Sequence, residues 1–176
     1  DVYKRQDMND AINASIEAQK KVCTMTLDQR EQIISLIRKK THENAEILAN
    51  MGVNETGMGN VGDKILKHHL TADKVPGTED ISTIAWSGDR GLTLVEMGPF
   101  GVIGAITPAT NPSETVICNC IGMLAGGNTV VFNPHPNAKK TTIYTINMIN
   151  EASIEAGGPD NIAVTVEAPT LDTSAI

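Results

Sequence analysis

Residues 98–136 read GPFGVIGAITPATNPSETVICNCIGMLAGGNTVVFNPHP and contain two β-branched runs separated by a long apolar segment. The runs at 101–106 and 128–132 are each followed closely by a proline, as is typical of strands that lead into loops. Residues 115–125 are almost wholly apolar, so we predict a helix that is covered on most sides. Strand, helix and strand in this order predict a βαβ unit.

Ligands of such units collect outside the carboxyl ends of the strands, which here are residues 107–111 and 133–137. Asn111 fits the start of a helix, because Pro112 follows at the first helical position and Glu114 at the third. An asparagine side chain at the end of a strand also offers an N–H donor to an oxyanion, which needs fixed donors. The residues alone favour a helix cap over an oxyanion donor.

The segments on both sides of this unit extend the alternation of helices and strands. The patterns predict helices at 7–25, 27–40, 43–53 and 63–73, an irregular segment at 75–90, a strand at 92–97, a helix at 137–156 and a strand at 162–166. We expect Ile65, Leu66 and Leu70 to be buried in the fourth helix. With right-handed crossovers, the fold class is α/β, a Rossmann-like parallel sheet preceded by a helical segment.

Composition excludes several classes of function. The net charge of −7 and the aromatic content of 3% argue against a nucleic-acid partner. No apolar run approaches the roughly 18 residues of a membrane-spanning helix, so no membrane partner is expected. Three cysteines, Cys23, Cys118 and Cys120, predict reduced thiols in a cytoplasmic protein. Cys118 and Cys120 are two apart on a helix, so we expect buried small hydrophobes and no metal site.

Two further patterns have a structural interpretation. Residues 57–62 match GxGxxG, but the preceding residues 45–51 are helical in pattern, whereas a dinucleotide fingerprint follows a strand. We therefore predict a turn between two helices. His68 and His69 have no acidic or cysteine partner at chelating spacing, so we place both on a solvated helix face.

Four segments resemble the CoA-acylating branch of the aldehyde dehydrogenase superfamily. They are NETGMGNVGDKI (54–65), KVPGTEDI (74–81), TPATNPSETVICN (107–119) and LAGGNTVVFNPHPNAKK (124–140). This branch contains the acetaldehyde and propionaldehyde dehydrogenases of ethanolamine and propanediol breakdown. The resemblance implies oxidation of a small aldehyde with NAD as cofactor and coenzyme A as co-substrate. It also implies a homo-oligomer that is cargo of a bacterial microcompartment.

The resemblance also implies roles for individual residues. Asn111 aligns with the asparagine that stabilises the thiohemiacetal oxygen in the family. The cofactor crevice would be lined by Ile106, Thr107, Pro108 and Ala109 on one wall and by Asn133, His135 and Pro136 on the other. Hydrolytic members carry a lysine where Asn133 stands and a glutamate near Pro136, and the departure matches the acylating branch.

The domain organisation follows from the same resemblance. Residues 7–176 would be the N-terminal part of an NAD-binding domain, with a helical lead-in at 7–75 and a strand plus a βαβαβ unit at 92–176. The catalytic cysteine and the catalytic domain would lie beyond residue 176. Residues 1–6, DVYKRQ, are interpreted as non-native sequence and left out of the fold prediction.

Two other functions remain as alternatives. The first is the aldehyde dehydrogenase part of a bifunctional aldehyde–alcohol dehydrogenase, although KVPGTEDI (74–81) and VEMGPFG (95–101) fit the stand-alone branch better. The second is a nucleotide-binding or assembly module without catalysis.

Overall fold

A four-stranded parallel sheet lies at the centre of the computed structural model, which describes residues 4–5, 7–170 and 173. The strands follow the spatial order β1-β6-β5-β4, with bounds β1 (Lys4–Arg5), β4 (Val102–Thr107), β5 (Thr129–Pro134) and β6 (Ala163–Val166). Ile106 lies opposite Asn133 in the β4–β5 register. The predicted parallel neighbours and the α/β fold class are confirmed. Residues 4–5, left out of the prediction, pair with β6, while residues 1–3 and 6 lie outside the described part.

Helices cover both faces of the sheet. Their bounds are α1 (Met8–Val22), α2 (Leu27–Thr56), α3 (Val61–Lys74), α4 (Pro112–Ala125) and α5 (Lys139–Glu155). Alternate residues of β5 point to opposite faces, so Val131 packs with α1 while Val130 and Phe132 pack with α2, α4 and α5. Within the described residues, no helix combines the length and the apolar character that crossing a bilayer requires.

Helix α2 is one continuous helix of 30 residues, so the prediction of two helices was wrong. It begins at residue 27, as predicted, with a capping box formed by Thr26 and Gln29. Thr41, at the predicted break, donates its hydroxyl to the Ile37 carbonyl at 2.7 Å and so satisfies its polar atom inside the helix. The helix ends at Gly57, whose φ of 68° is left-handed.

Residues 57–62 join α2 to α3, as predicted. Asn60 caps α3 through its side-chain oxygen, which accepts from the Asp63 backbone N–H at 2.9 Å. A helix rather than a strand precedes the GxGxxG letters, so the segment has the geometry of a helix connection.

The buried face of α3 differs from the prediction. Leu66 and Leu70 are 69% and 58% exposed, and the buried residues are Lys64, His68 and Ala72. The buried stripe is polar because it faces the polar N-terminal turn of α4, where hydrogen bonds replace apolar contacts.

A β-hairpin occupies much of the segment predicted to be irregular. Strand β2 (Ile84–Gly88) pairs antiparallel with β3 (Gly91–Val95), and all ten residues are exposed. The predicted strand at 92–97 overlaps β3. Strand β2 was missed because the run Ile84-Ala85-Trp86 does not alternate between apolar and polar residues and leads into Gly88 and Asp89, which are typical of a turn.

The N-terminus of α5 is capped by a carboxylate from α2. Glu55 accepts the Lys140 backbone N–H at 2.7 Å and the Thr141 backbone N–H and hydroxyl at 2.8 and 2.7 Å. These groups lack partners within their own helix, and a negative charge is favourable at this end.

We expect Glu55→Ala in the full-length protein to cost about 1–2 kcal/mol of stability, the upper range for a helix cap. The measurement is the urea midpoint of unfolding. Glu46→Ala is the matched control, because Glu46 is an exposed glutamate of the same helix whose carboxylate has no partner among the described residues. Equal midpoints for the two variants would contradict a capping role.

Candidate active site

Asn111 lies in the loop after β4, at the position that precedes α4. Its side chain makes no capping hydrogen bond, so the side-chain cap favoured by the residues alone was wrong. Instead, Oδ1 accepts a hydrogen bond from Lys67 Nζ of α3 at 2.7 Å. The helix start is formed by backbone, with the Thr115 N–H donating to the Asn111 carbonyl at 3.1 Å.

The lysine contact distinguishes the oxygen of the Asn111 side-chain amide from its nitrogen. An ammonium group only donates, so the atom it contacts is the carbonyl oxygen. Among the described residues, Nδ2 has no hydrogen-bond partner. Asn111 lines a cavity of about 330 Å³ between α3 and α4, together with Leu70, Thr115 and Cys118. An unused amide donor therefore stands at the edge of an open cavity.

A buried ion pair lies directly behind this loop. Lys64 Nζ donates to the Thr110 carbonyl at 2.8 Å and to Glu114 Oε1 at 3.1 Å. The Lys64 and Glu114 side chains are only 6% and 7% exposed. One ammonium group therefore holds the backbone before Asn111 and the first turn of the helix after it.

His68 extends this cluster and is fully buried, so the prediction of a solvated face was wrong for this residue. Burial lowers the pKa of His68 and favours the neutral ring. Its Nδ1 then donates to the Lys64 carbonyl, and its Nε2 accepts from the Ser113 hydroxyl, both at 2.7 Å. Sequence reasoning missed the burial of Lys64 and His68, because polar residues at helical spacing carry no signal of burial.

The first predicted wall of the cofactor crevice lies at the end of β4. Ile106 is 71% exposed, and Thr107 is buried with no hydrogen-bond partner for Oγ1 in the described residues. Pro108 is exposed and Ala109 is buried. The wall therefore offers an apolar side chain at its rim and an unused hydroxyl behind it.

The second predicted wall follows β5. Asn133 is buried. Its Nδ2 donates to the Thr170 carbonyl at 3.3 Å, and its Oδ1 accepts from the Thr173 hydroxyl at 2.9 Å. The exposed His135 accepts the backbone N–H of residue 137 at its Nδ1, and Pro136 begins a short 3₁₀ helix, Pro136–Ala138.

The structure brings the two walls together. The His135 N–H donates to the Thr107 carbonyl at 3.0 Å, which joins the two loops at the carboxyl edge of the sheet. Of the seven predicted crevice residues, Ile106 and Asn133 line a cavity of about 350 Å³, and the other five do not. The rest of its lining comes mainly from α1 and the sheet, with residues such as Met8, Ile12 and Ala105. This volume lies within the range of small-molecule sites.

The cysteines lie partly where the sequence placed them. Cys120 is buried as predicted, but Cys118 is exposed on the side of α4 that lines the Asn111 cavity. Desolvation raises the pKa of both thiols, which disfavours the nucleophilic thiolate. Within the described residues, no group of three or more His, Cys, Asp or Glu side chains is arranged to hold a metal ion.

The chain belongs to the aldehyde dehydrogenase family, whose sequence profile matches residues 2–173. It is 50% identical over 167 residues to the acetaldehyde dehydrogenase (acetylating) of Bilophila wadsworthia, covering 95% of this chain and 34% of that protein. It is 43% identical over 169 residues to the propanal dehydrogenase (CoA-propanoylating) of Salmonella typhimurium, covering 96% and 36%. The chain thus spans about a third of the length of these relatives.

Solved structures agree with this assignment. A propionaldehyde dehydrogenase from the Clostridium phytofermentans fucose utilisation bacterial microcompartment superposes with a TM-score of 0.96 at 72% identity, over 98% of this chain and 40% of that one. Rhodopseudomonas palustris propionaldehyde dehydrogenase with bound propionyl-CoA gives 0.96 at 44%, over 99% and 39%. An engineered glycolyl-CoA reductase with bound NADP⁺ gives 0.96 at 43%, over 99% and 40%. The resemblance to the acylating branch is confirmed.

Proposed function

We propose that the protein carrying this chain is an NAD-dependent, CoA-acylating aldehyde dehydrogenase. Asn111 is the single residue that carries this proposal within the chain. Its Oδ1 is held by Lys67, its Nδ2 has no partner among the described residues, and it lies beside an open cavity at the end of β4. An oxyanion needs a donor that is fixed before the reaction, and this arrangement supplies one.

In the proposed reaction, a cysteine thiolate from another part of the protein adds to the aldehyde carbon, and the carbonyl oxygen becomes an oxyanion. Asn111 Nδ2 donates to this oxygen and stabilises the negative charge as it develops. Cysteine suits this step because it is both a good nucleophile and a good leaving group. When the hydride leaves the former aldehyde carbon, the adduct collapses to a cysteine thioester. The thiol of coenzyme A then displaces the cysteine and takes the acyl group as acyl-CoA.

We assign the cofactor to the crevice between the two loops. NAD supplies the acceptor for the hydride that leaves the former aldehyde carbon. The proposed contacts are Ile106, Thr107, Pro108, Ala109, Asn133, His135 and Pro136. The cavity of about 350 Å³ that Ile106 and Asn133 line supports the fit, because its volume suits part of a small-molecule ligand.

The remaining properties of the whole protein belong to the same proposal. The domain assignment is an N-terminal part of an NAD-binding domain over 7–176, with the helical lead-in at 7–75. The substrate is a small aldehyde, in keeping with the acetaldehyde and propanal named for the two relatives. A location inside a bacterial microcompartment is supported by the source of the Clostridium phytofermentans structure. The cytoplasmic setting and the homo-oligomer rest on the family resemblance.

The test is a coupled measurement on the full-length protein with acetaldehyde or propionaldehyde, NAD and coenzyme A. We expect one acyl-CoA and one NADH for each aldehyde consumed. The matched control is the 176-residue chain alone, which should be inactive because none of its cysteines combines exposure with a favoured thiolate at the Asn111 cavity. Formation of free acid without acyl-CoA would contradict the acylating assignment.

A further inference from the structure

We propose that Lys67 is a positioning residue that orients the amide of Asn111 for catalysis. The inference rests on the proposed function, because it presumes that Asn111 donates to an oxyanion. Lys67 lines the same cavity of about 330 Å³ as Asn111, and in this scheme it acts through the amide, whose Oδ1 it holds at 2.7 Å.

Helix α3 holds the Asn111 loop at two points. Lys64 and Lys67 are three residues apart and so lie on neighbouring positions of one helix face. Lys64 fixes the backbone through the Thr110 carbonyl and Glu114, and Lys67 fixes the side chain. Hydrogen bonds from α3 therefore hold both the backbone next to Asn111 and its side-chain amide in place.

The orientation of the amide matters because its two ends are nearly equal in shape and opposite in function. The terminal torsion of asparagine has broad, roughly two-fold preferences, so an unrestrained amide presents either its oxygen or its nitrogen to a ligand. An oxygen turned towards an oxyanion would repel it, whereas the nitrogen would donate. The Lys67 ammonium selects the productive orientation, since it accepts no hydrogen bond and must contact Oδ1.

The Lys67 charge also strengthens the donor. Hydrogen bonds in series polarise one another, so an ammonium group on Oδ1 makes the Nδ2 hydrogens more positive. The positive charge lies one amide away from the proposed oxyanion, where it favours the transition state more than the neutral aldehyde.

Folding stability does not account for the contact. Lys67 is exposed, and exposed charged side chains contribute little to stability. Asn111 is half-buried, and its side chain caps no helix. A merely structural contact would move the melting temperature, whereas a positioning contact would move turnover.

The experiment measures steady-state kinetics of the full-length protein carrying Lys67→Met, Lys67→Arg, Asn111→Ala or the double change Lys67→Met with Asn111→Ala. Lys74→Met is the matched control, because it removes the same charge from α3 at an exposed lysine without a partner among the described residues. We expect Lys67→Met to lower kcat on the order of 10- to 100-fold, the scale of a misplaced catalytic group, with little change in KM for NAD. Lys67→Arg should restore most of the turnover, and the double variant should be no slower than Asn111→Ala.

The outcomes separate the inference from the function on which it rests. If Asn111→Ala is slow while Lys67→Met matches Lys74→Met, the positioning role is overturned and the oxyanion role survives. If Asn111→Ala retains full turnover, both are overturned. A Lys67→Met variant with a lower melting temperature but unchanged kcat per folded site would show a structural contact and also overturn the inference.

Discussion

Replacing Asn111 by aspartate in the full-length protein is expected to lower turnover by more than about 100-fold, since one lost oxyanion donor typically costs on the order of 100- to 1000-fold. Aspartate has the shape of asparagine but lacks the N–H donor. It also places a carboxylate where negative charge develops in the transition state, so the loss should exceed that of simple donor removal.

The same variant should fold and melt like the wild type. The Asn111 side chain caps nothing, so no capping bond is lost. An aspartate keeps an oxygen for Lys67, and a negative charge is favourable at the N-terminus of α4. Asn111→Asp therefore keeps the side chain in place and removes only its N–H donor.

The measurement pairs turnover at saturating aldehyde with the melting temperature. Asn13→Asp is the matched control, because Asn13 is exposed on α1 and its side chain has no partner among the described residues. Near-wild-type turnover in Asn111→Asp would remove the oxyanion role. A large drop in melting temperature would show that the amide is structural.

Replacing Lys64 by methionine is expected to destabilise the full-length protein by about 3–5 kcal/mol, the cost of breaking a buried ion pair by removing one partner. Methionine fills similar volume, so the loss comes from Glu114, whose carboxylate is 7% exposed and is left without the ammonium group. The Thr110 carbonyl loses a donor as well.

The measurement is the urea midpoint of unfolding for Lys64→Met, and for the double variant that adds Glu114→Gln. The double variant should recover a large part of the loss, because no unpaired charge remains buried. Lys20→Met is the matched control, since it breaks the exposed Lys20–Glu17 pair at 2.6 Å and should cost about 0–1 kcal/mol. A cost for Lys64→Met as small as that of the control would contradict the prediction.

Much of the sheet was predictable because its signals are local. The β-branched runs before Pro108 and Pro134 gave two strands, and parallel pairing then placed the Asn111 loop near the loop after β5. The capping box at Thr26 gave the start of α2 for the same reason. Each of these features is determined within a few residues of chain.

The rest depended on contacts between distant segments. Lys67 and Asn111 are 44 residues apart, and no local pattern connects them. The predicted buried face of α3 was wrong because apolar residues normally mark the buried face of a helix. In α3, Leu66 and Leu70 are exposed, whereas Lys64 and His68 are buried. Hydrophobic periodicity cannot reveal a buried stripe that is stabilised by hydrogen bonds and an ion pair.

The polar contact between α3 and the first turn of α4 has a consequence for exchanging parts between relatives. Apolar helix surfaces repack when one partner is replaced, provided that volume is kept. The bonds that Lys64 and His68 make outside α3 are directional, and their partners lie within residues 110–114. Helix α3 and residues 110–114 therefore have to be exchanged together, because a chimera whose other parent lacks the matching lysine or glutamate would bury a charge with no counterpart.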